Sequence, residues 1–480
     1  MIQRAYGLTT DLYELAMAAA YFENGVDHRA VFELFVRRLP THRSYLIAAG
    51  LEQALDYLST LRFTSDQIDY LREHPSFQNV SSAFFDYLAR FRFTGDVWAM
   101  PEGTPVFGME PILRVTAPII QAQVVETFLL STLNFQTMIA SKAARIVTAA
   151  EGRSVIEFGT RRAHGTEAGL LAARAAYIGG CIGTSNVEAG LLFGIPTFGT
   201  LAHSFIMSFD SEDDAFRAFL RVFPNTATVL VDTYDTIAAV KRLARDFGPS
   251  IPAVRLDSGD LLELSKQVRQ ILDEGGMTET KIFASGDLNE NRIAELISRG
   301  AQIDSFGVGT ELATSYDSPA LPGVYKLAAI EENGRMTMRI KLSHDKATYP
   351  GAKQVWRLTN ETDKAVVDLI ALEDEESPDA ARSGVTGSWR PLLSPVMKQG
   401  RIVEGLANPA GERGPKESAA SAREARFARL NAAREQAVQQ INRLPDTLLA
   451  LDSATTYSVV FSDRLTSERE KLEHQITGPH

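Results

Sequence analysis

The chain has 480 residues, enough for two or three domains around a large buried core. Its 45% hydrophobic and 23% charged content is that of an ordinary globular protein. A net charge of -11 excludes the broad basic face that non-specific nucleic-acid binding needs. The single cysteine, Cys181, excludes an intrachain disulfide and a thiolate zinc site. Its glycine neighbours predict a small buried side chain. No run reaches the roughly 20 apolar residues of a membrane span, because Gln121, Gln123 and Glu126 break the stretch 119–133. The first residues lack the apolar core of a secretory signal, so a cytoplasmic enzyme is expected.

The first clear helix is predicted over residues 9–24, where Leu12, Leu15, Ala16 and Ala19 keep helical spacing. Asp11 and Glu14 read as its capping pair and Gly25 as its stop. Tyr13, Met17 and Ala20 form a second stripe, and the simplest reading of Tyr13 is packing. Residues 30–36 alternate as a strand, 46–90 are mostly helical, and 95–100 and 112–115 read as strands. This makes an α+β module of residues 1–125. A long helical region follows over 124–150, with Lys142 and Arg145 in its second half.

From Val155 short apolar strands alternate with helices. Strands are predicted from Val155 onward and at 228–231, 253–256, 281–285 and 305–308, and helices at 212–222, 236–247, 261–274 and 290–299. With the segments between 180 and 200, roughly seven strands predict an α/β fold whose parallel sheet closes into a TIM-like barrel over 126–319. An open doubly wound sheet is the alternative. Beyond Tyr316 the pattern is β-rich again: 323–329, the turn Glu332-Asn333-Gly334, then 336–342. That stretch is expected to rejoin the first module, giving a discontinuous domain of 1–125 plus about 320–400. Residues 401–480 form a C-terminal extension, with a linker at 406–418 and a helix at 419–444.

Chemistry concentrates where the strands end, as both arrangements require. Phe158 and Arg161, three positions apart, could hold a planar carboxylate from face and edge, and the paired Arg161 and Arg162 beside glycines suit a doubly anionic ligand or are simply solvated charges. Gly307-Val308-Gly309-Thr310 reads as a phosphate cradle of backbone N–H groups and a hydroxyl, or as a plain tight turn. Asp257 and Asp260 suit a ribose diol or a magnesium ion. Asp260 with Glu263, and Asp287 with Glu290, also read as helix capping pairs. His203, near Thr200 and Ser204, reads as a structural histidine, an acid/base or a nucleophile toward phosphate.

Taken together, several runs resemble the nicotinate phosphoribosyltransferase family. They are Thr10-Asp11-Leu12-Tyr13, Glu157-Phe158-Gly159-Thr160-Arg161-Arg162, Gly183-Thr184-Ser185-Asn186-Val187, Gly199-Thr200-Leu201-Ala202-His203-Ser204-Phe205, Arg255-Leu256-Asp257-Ser258-Gly259-Asp260 and Gly307-Val308-Gly309-Thr310. The resemblance implies a type II phosphoribosyltransferase: an α/β N-terminal domain and an irregular α/β barrel, paired as a homodimer. It implies that nicotinate and phosphoribosyl pyrophosphate (PRPP) give nicotinate mononucleotide and pyrophosphate for NAD salvage. ATP would be the co-substrate, Mg²⁺ would accompany PRPP and ATP, and His203 would be phosphorylated. His203, Arg255 and Asp257 then match the catalytic positions. Tyr13 (reaching across the dimer), Phe158, Arg161, Ser185, Thr200 and Arg255 match the nicotinate side. Ser258, Gly259, Gly286, Asp287, Gly307, Gly309 and Thr310 match the phosphoribosyl side, while metal ligands remain unassigned. Ser185 stands where nicotinamide-using relatives carry aspartate, which favours the acid as substrate. Nicotinamide or quinolinate transfer is the runner-up, and a non-catalytic PRPP or nucleotide sensor the distant alternative.

Overall fold

A computed structural model describes residues 5–343, 346–376, 378, 386–404, 419–452 and 454–477; the linker expected at 406–418 lies outside them. The chain forms two compact units. One comprises the described residues of Met1–Thr137, Ala320–Arg426 and Gln436–His480, the other Met138–Pro319 with Phe427–Glu435.

The first unit is built on a seven-stranded sheet in the order Arg335–Met338, Gly323–Glu332, Arg29–Val36, Pro111–Pro118, Asp96–Ala99, Ser394–Lys398, Arg401–Ile402. Its third strand, Arg29–Val36, pairs antiparallel with Gly323–Glu332 on one side and Pro111–Pro118 on the other. Backbone hydrogen bonds thus join segments nearly 300 residues apart (30 with 330). Asn333 and Gly334 both take positive φ (51° and 74°), as a two-residue hairpin turn of matching twist demands. A second sheet has the order Gly387–Pro391, Lys353–Asn360, Ala365–Leu372, Val459–Phe461.

The first helix is Leu12–Glu23, and its start differs from the capping pair expected there. Asp11 occupies the N-cap position without a side-chain cap bond. Glu14 is fully buried and turns inward, accepting from the Thr127 amide at 3.1 Å, the Thr127 hydroxyl at 2.5 Å and the Thr10 hydroxyl. Burial raises its carboxyl to about 7 despite those three donors. A capping box and an inward-facing acid have the same spacing in sequence, and the neighbouring Glu126–Ala149 helix decides between them.

The second unit carries a six-stranded, wholly parallel sheet. Its order is Gly183–Thr184, Ser154–Glu157, Ser305–Val308, Lys281–Ala284, Ala253–Leu256, Thr228–Leu230. An isolated parallel bridge, Thr184 to Thr197, extends the ladder past its Gly183 edge. The strand cores (Val155, Val229, Val254, Ile282 and Phe306) are buried, the continuous apolar pattern of a parallel sheet. Helices of 9 to 14 residues, including Leu261–Glu274 and Glu290–Ser298, connect the later strands. Cys181 is buried, as its glycine neighbours suggested.

Candidate functional site

Every strand of the parallel sheet delivers its next few residues to the same edge, because all run the same way. Arg255, on the strand Ala253–Leu256, organises what is found there. Its Nε donates to the Ser285 hydroxyl at 2.8 Å, one terminal nitrogen donates to the Thr200 hydroxyl at 2.6 Å, and the other donates to Asp257 Oδ1 at 2.7 Å. Ser285 in turn donates to the same Asp257 oxygen. Three strand ends are therefore locked together through one planar fork of donors.

Asp257 is held ionised by this arrangement. Burial alone would raise its pKa, but the Ser285 hydroxyl, the Arg255 guanidinium and the nearby His203 together bring it below the ordinary carboxylate value. Its second oxygen lies 3.9 Å from His203 Nε2, while His203 Nδ1 sits 3.2 Å from the Thr233 hydroxyl. The imidazole is thus held at Nδ1 by Thr233, with Asp257 close to Nε2, yet it is 43% exposed and open to a reactant. His203 is the first residue of a short helix, His203–Met207.

Asp232 and Thr233 escaped the sequence reading. Asp232 Oδ2 accepts from the Asp257 amide at 2.9 Å and the Ser258 hydroxyl at 2.7 Å, and its buried Oδ1 has no hydrogen-bond partner. The available signal was positional, since both follow the strand Thr228–Leu230 directly, where a parallel sheet places its chemistry.

The aromatic wall is Phe158, partly buried, 5.4 Å from Phe283 between ring centres. The guanidinium recorded over its face is that of Arg255, at 5.9 Å. Arg161 lies exposed on the 3-10 turn Thr160–Arg162. Beneath Phe158, Glu157 is buried and binds the Thr184 hydroxyl at 2.5 Å and the Gly159 amide, while its carbonyl accepts from the Ser185 amide at 2.9 Å. Burial raises the Glu157 pKa, although those donors oppose the rise. Ser185, partly buried, is thereby held one strand away from Phe158.

Two glycines are dictated by close approach. A Cβ on Gly307 would stand 2.6 Å from the Phe283 ring and 2.9 Å from that of Phe158. One on Gly286, whose φ is +91°, would stand 2.1 Å from the Asp257 carbonyl oxygen. Gly309 also abuts the Phe158 backbone. Ser258, Gly259, Asp287 and Thr310 lie exposed on the loops after adjacent strands. Asp287 takes a left-handed φ of 45°. Tyr13 belongs to the other unit and is 47% exposed, so it does not simply pack away.

The capping alternatives resolve differently. Asp260 does cap the helix Leu261–Glu274, accepting from the Leu262 and Glu263 amides. Asp287 does not cap: Asn289 accepts from the Arg292 amide, and Glu290 is buried. Among the described residues no cluster of three or more His, Cys, Asp or Glu side chains is arranged to hold a metal ion. Among them, too, no helix is long and apolar enough to cross a membrane.

Comparison with known proteins gives this geometry its context. The N-terminal domain of nicotinate phosphoribosyltransferases matches residues 8–134, the nicotinate phosphoribosyltransferase family matches 154–356, and the C-terminal domain matches 352–469. Nicotinate phosphoribosyltransferase pncB2 of Mycobacterium tuberculosis is 45% identical, covering 99% of this chain and 96% of the relative. The Bacillus subtilis nicotinate phosphoribosyltransferase is 46% identical over 78% of each chain. The crystal structure of human nicotinic acid phosphoribosyltransferase superposes with a TM-score of 0.80 at 28% identity, covering 96% of this chain and 99% of the human one. With matches along nearly its whole length, this chain belongs to the nicotinate phosphoribosyltransferase family.

Proposed function

We infer that the chain transfers the phosphoribosyl group of PRPP to nicotinate, releasing pyrophosphate and giving nicotinate mononucleotide for NAD salvage. Family membership supports the reaction, and the observation that carries the site is the Arg255 fork. It brings a fixed positive charge to the Phe158 ring face and binds Thr200, Ser285 and Asp257 at once. The pyridine nitrogen attacks the anomeric carbon as the bond to pyrophosphate breaks, so glycosyl transfer needs no protein nucleophile. Positive charge grows on the ribose and negative charge on the leaving group. The ionised Asp257 tolerates the first, and Arg255 stabilises the second. Phe158 orients the ring, chiefly a proximity effect, and the half-exposed Tyr13 is free to contribute the opposite face across a homodimer. Arg161 and Ser185 complete the nicotinate side, where a neutral Ser185 does not repel the carboxylate.

Ser258, Gly259, Gly286, Asp287, Gly307, Gly309 and Thr310 take the ribose and phosphates. The close approach at Gly286 and Gly307 supports this, because neither position admits a side chain and the backbone there stays open to a ligand. Mg²⁺ carried with PRPP and ATP supplies Lewis-acid stabilisation of phosphate charge. The hard oxygens of Asp232 and Asp257, including the unpartnered Asp232 Oδ1, fit such an ion. His203 carries phosphate from ATP; its exposed imidazole beside Asp257 and Thr233 supports that role.

The finer architecture follows the same reading. The six parallel strands and the Thr184–Thr197 bridge support an irregular α/β barrel over 126–319. We assign 1–125 plus about 320–400 to the discontinuous N-terminal domain and 401–480 to the C-terminal extension. A cytoplasmic location suits the single buried thiol.

The test is twofold. Incubation with PRPP, Mg²⁺, ATP and, in parallel, nicotinate, nicotinamide or quinolinate should give a mononucleotide and pyrophosphate from nicotinate alone. Labelling with γ-³²P-ATP should mark the wild-type protein and vanish in His203→Asn; undiminished label in that variant would sink the phosphohistidine.

A further inference from the structure

Lys142 lies in the helix Glu126–Ala149 with its side chain 2% exposed. An isolated ammonium is costly there, and it is met by three carboxylates. Its Nζ is 2.7 Å from Glu290 Oε2, 2.9 Å from Asp317 Oδ1 and 3.6 Å from Glu311 Oε2. Arg145, one helical turn on, adds a 3.2 Å contact from Nε to Glu290 Oε1.

The placement of these acids in the fold matters more than their number. Glu290 opens the helix Glu290–Ser298, three residues after Asp287. Glu311 directly follows Thr310, in the short helix Thr310–Ala313. Their strands, Lys281–Ala284 and Ser305–Val308, are neighbours in the sheet. One buried cation therefore holds the roots of two adjacent loops. A buried ion pair is weak evidence for net stability, since apolar groups of equal volume often serve as well. Its distinctive contribution is directional: a charge with fixed partners sets where those partners stand.

We propose that Lys142 is a positioning residue for PRPP, tying the Asp287 loop to the Thr310 loop so that both stand ready before the substrate arrives. The inference rests on the assignment of Asp287 and Thr310 to the phosphoribosyl side. Preorganisation of this kind should appear in PRPP binding and leave the nicotinate side, built on Phe158 and Ser185, largely untouched.

Steady-state kinetics of the full-length protein, each substrate varied in turn, provide the test, with thermal unfolding measured alongside. Lys142→Met is expected to raise the KM for PRPP about tenfold or more while the KM for nicotinate stays within about twofold. Lys142→Arg, which keeps the charge, should recover most of that loss. Glu311→Gln removes one tie from a side chain 22% exposed and should shift the PRPP KM the same way, about threefold, with little change in Tm. An unchanged PRPP KM in folded Lys142→Met, or equal shifts for both substrates, overturns the proposal. If Lys142→Met does not fold, an unchanged PRPP KM in Glu311→Gln overturns it alone. Failure of the wild-type protein to consume PRPP would instead remove the functional reading beneath it.

Discussion

The molecule makes the same pairing twice, in different surroundings. In the first unit Arg357 grips Asp368, with Nε at 2.9 Å from Oδ1 and a terminal nitrogen at 2.5 Å from Oδ2, and both side chains are essentially sealed (1% and 0% exposed). Tyr457 donates to Asp368 as well, and Arg357 reaches the Pro105 carbonyl. Burial would lower the Arg357 pKa, but the Asp368 charge and hydrogen bonds together with Glu110 and Tyr457 outweigh it and drive the value up. In the second unit Arg255 and Asp257 make a contact of 2.7 Å, with 10% and 27% of their side chains exposed. The sealed pair has neighbours on all sides and nowhere to receive a ligand. The half-open pair spends its donors on three strand ends and keeps one side toward solvent and His203. Exposure, rather than the ion pair itself, distinguishes scaffold from site.

The largest expected effect breaks the sealed pair. Arg357→Met strands Asp368 and the neighbouring buried Glu110, and should cost about 3–5 kcal/mol of stability. It should leave kcat/KM per folded molecule unchanged, so activity lost at constant Tm would erase the distinction. Arg255→Met should weight the two effects the other way, with kcat/KM falling about 100-fold, about 2.7 kcal/mol, and Tm falling less than in Arg357→Met. Ser185→Asp sharpens the nicotinate side. A carboxylate there should lower kcat/KM for nicotinate about tenfold through like-charge repulsion, and full activity would refute specificity by exclusion.

The smallest effect concerns acid. Asp257 has a folded pKa below its unfolded value, so its stabilisation is present above the unfolded pKa of about 3.9 and disappears as pH falls through the folded one. Asp257→Asn should therefore reduce the acid-induced drop in Tm below about pH 4. An unaltered Tm profile across that range would show that Asp257 titrates alike in the folded and unfolded chain and remove this contribution.

Much of the second unit is legible in its sequence. The strands Ala253–Leu256 and Ser305–Val308 and the helices Glu212–Val222 and Leu261–Glu274 fall on the residues that apolar spacing indicates, because local pattern and burial agree there. The Asn-Gly hairpin is equally plain. Residues that act through distant partners are not. Nothing near Lys142 announces Glu290, Glu311 and Asp317, which lie roughly 150 to 175 positions away. Asn289 and Asp287 compete for one cap, and backbone conformation alone decides. Ring and guanidinium both follow from the sequence, but the arginine over Phe158 comes from the strand Ala253–Leu256, three strands across the sheet, rather than from three residues along. Pairing across a fold depends on register, and local spacing carries no record of it.

Cys181 offers a different kind of consequence. Its thiol is wholly enclosed, and burial pushes its pKa well up, so the reactive thiolate is suppressed twice over. Arg434 binds the Cys181 and Gly180 carbonyls within the same unit. An alkylating reagent therefore meets this sulfur only when that part of the chain opens, which makes the lone cysteine a built-in clock for local unfolding.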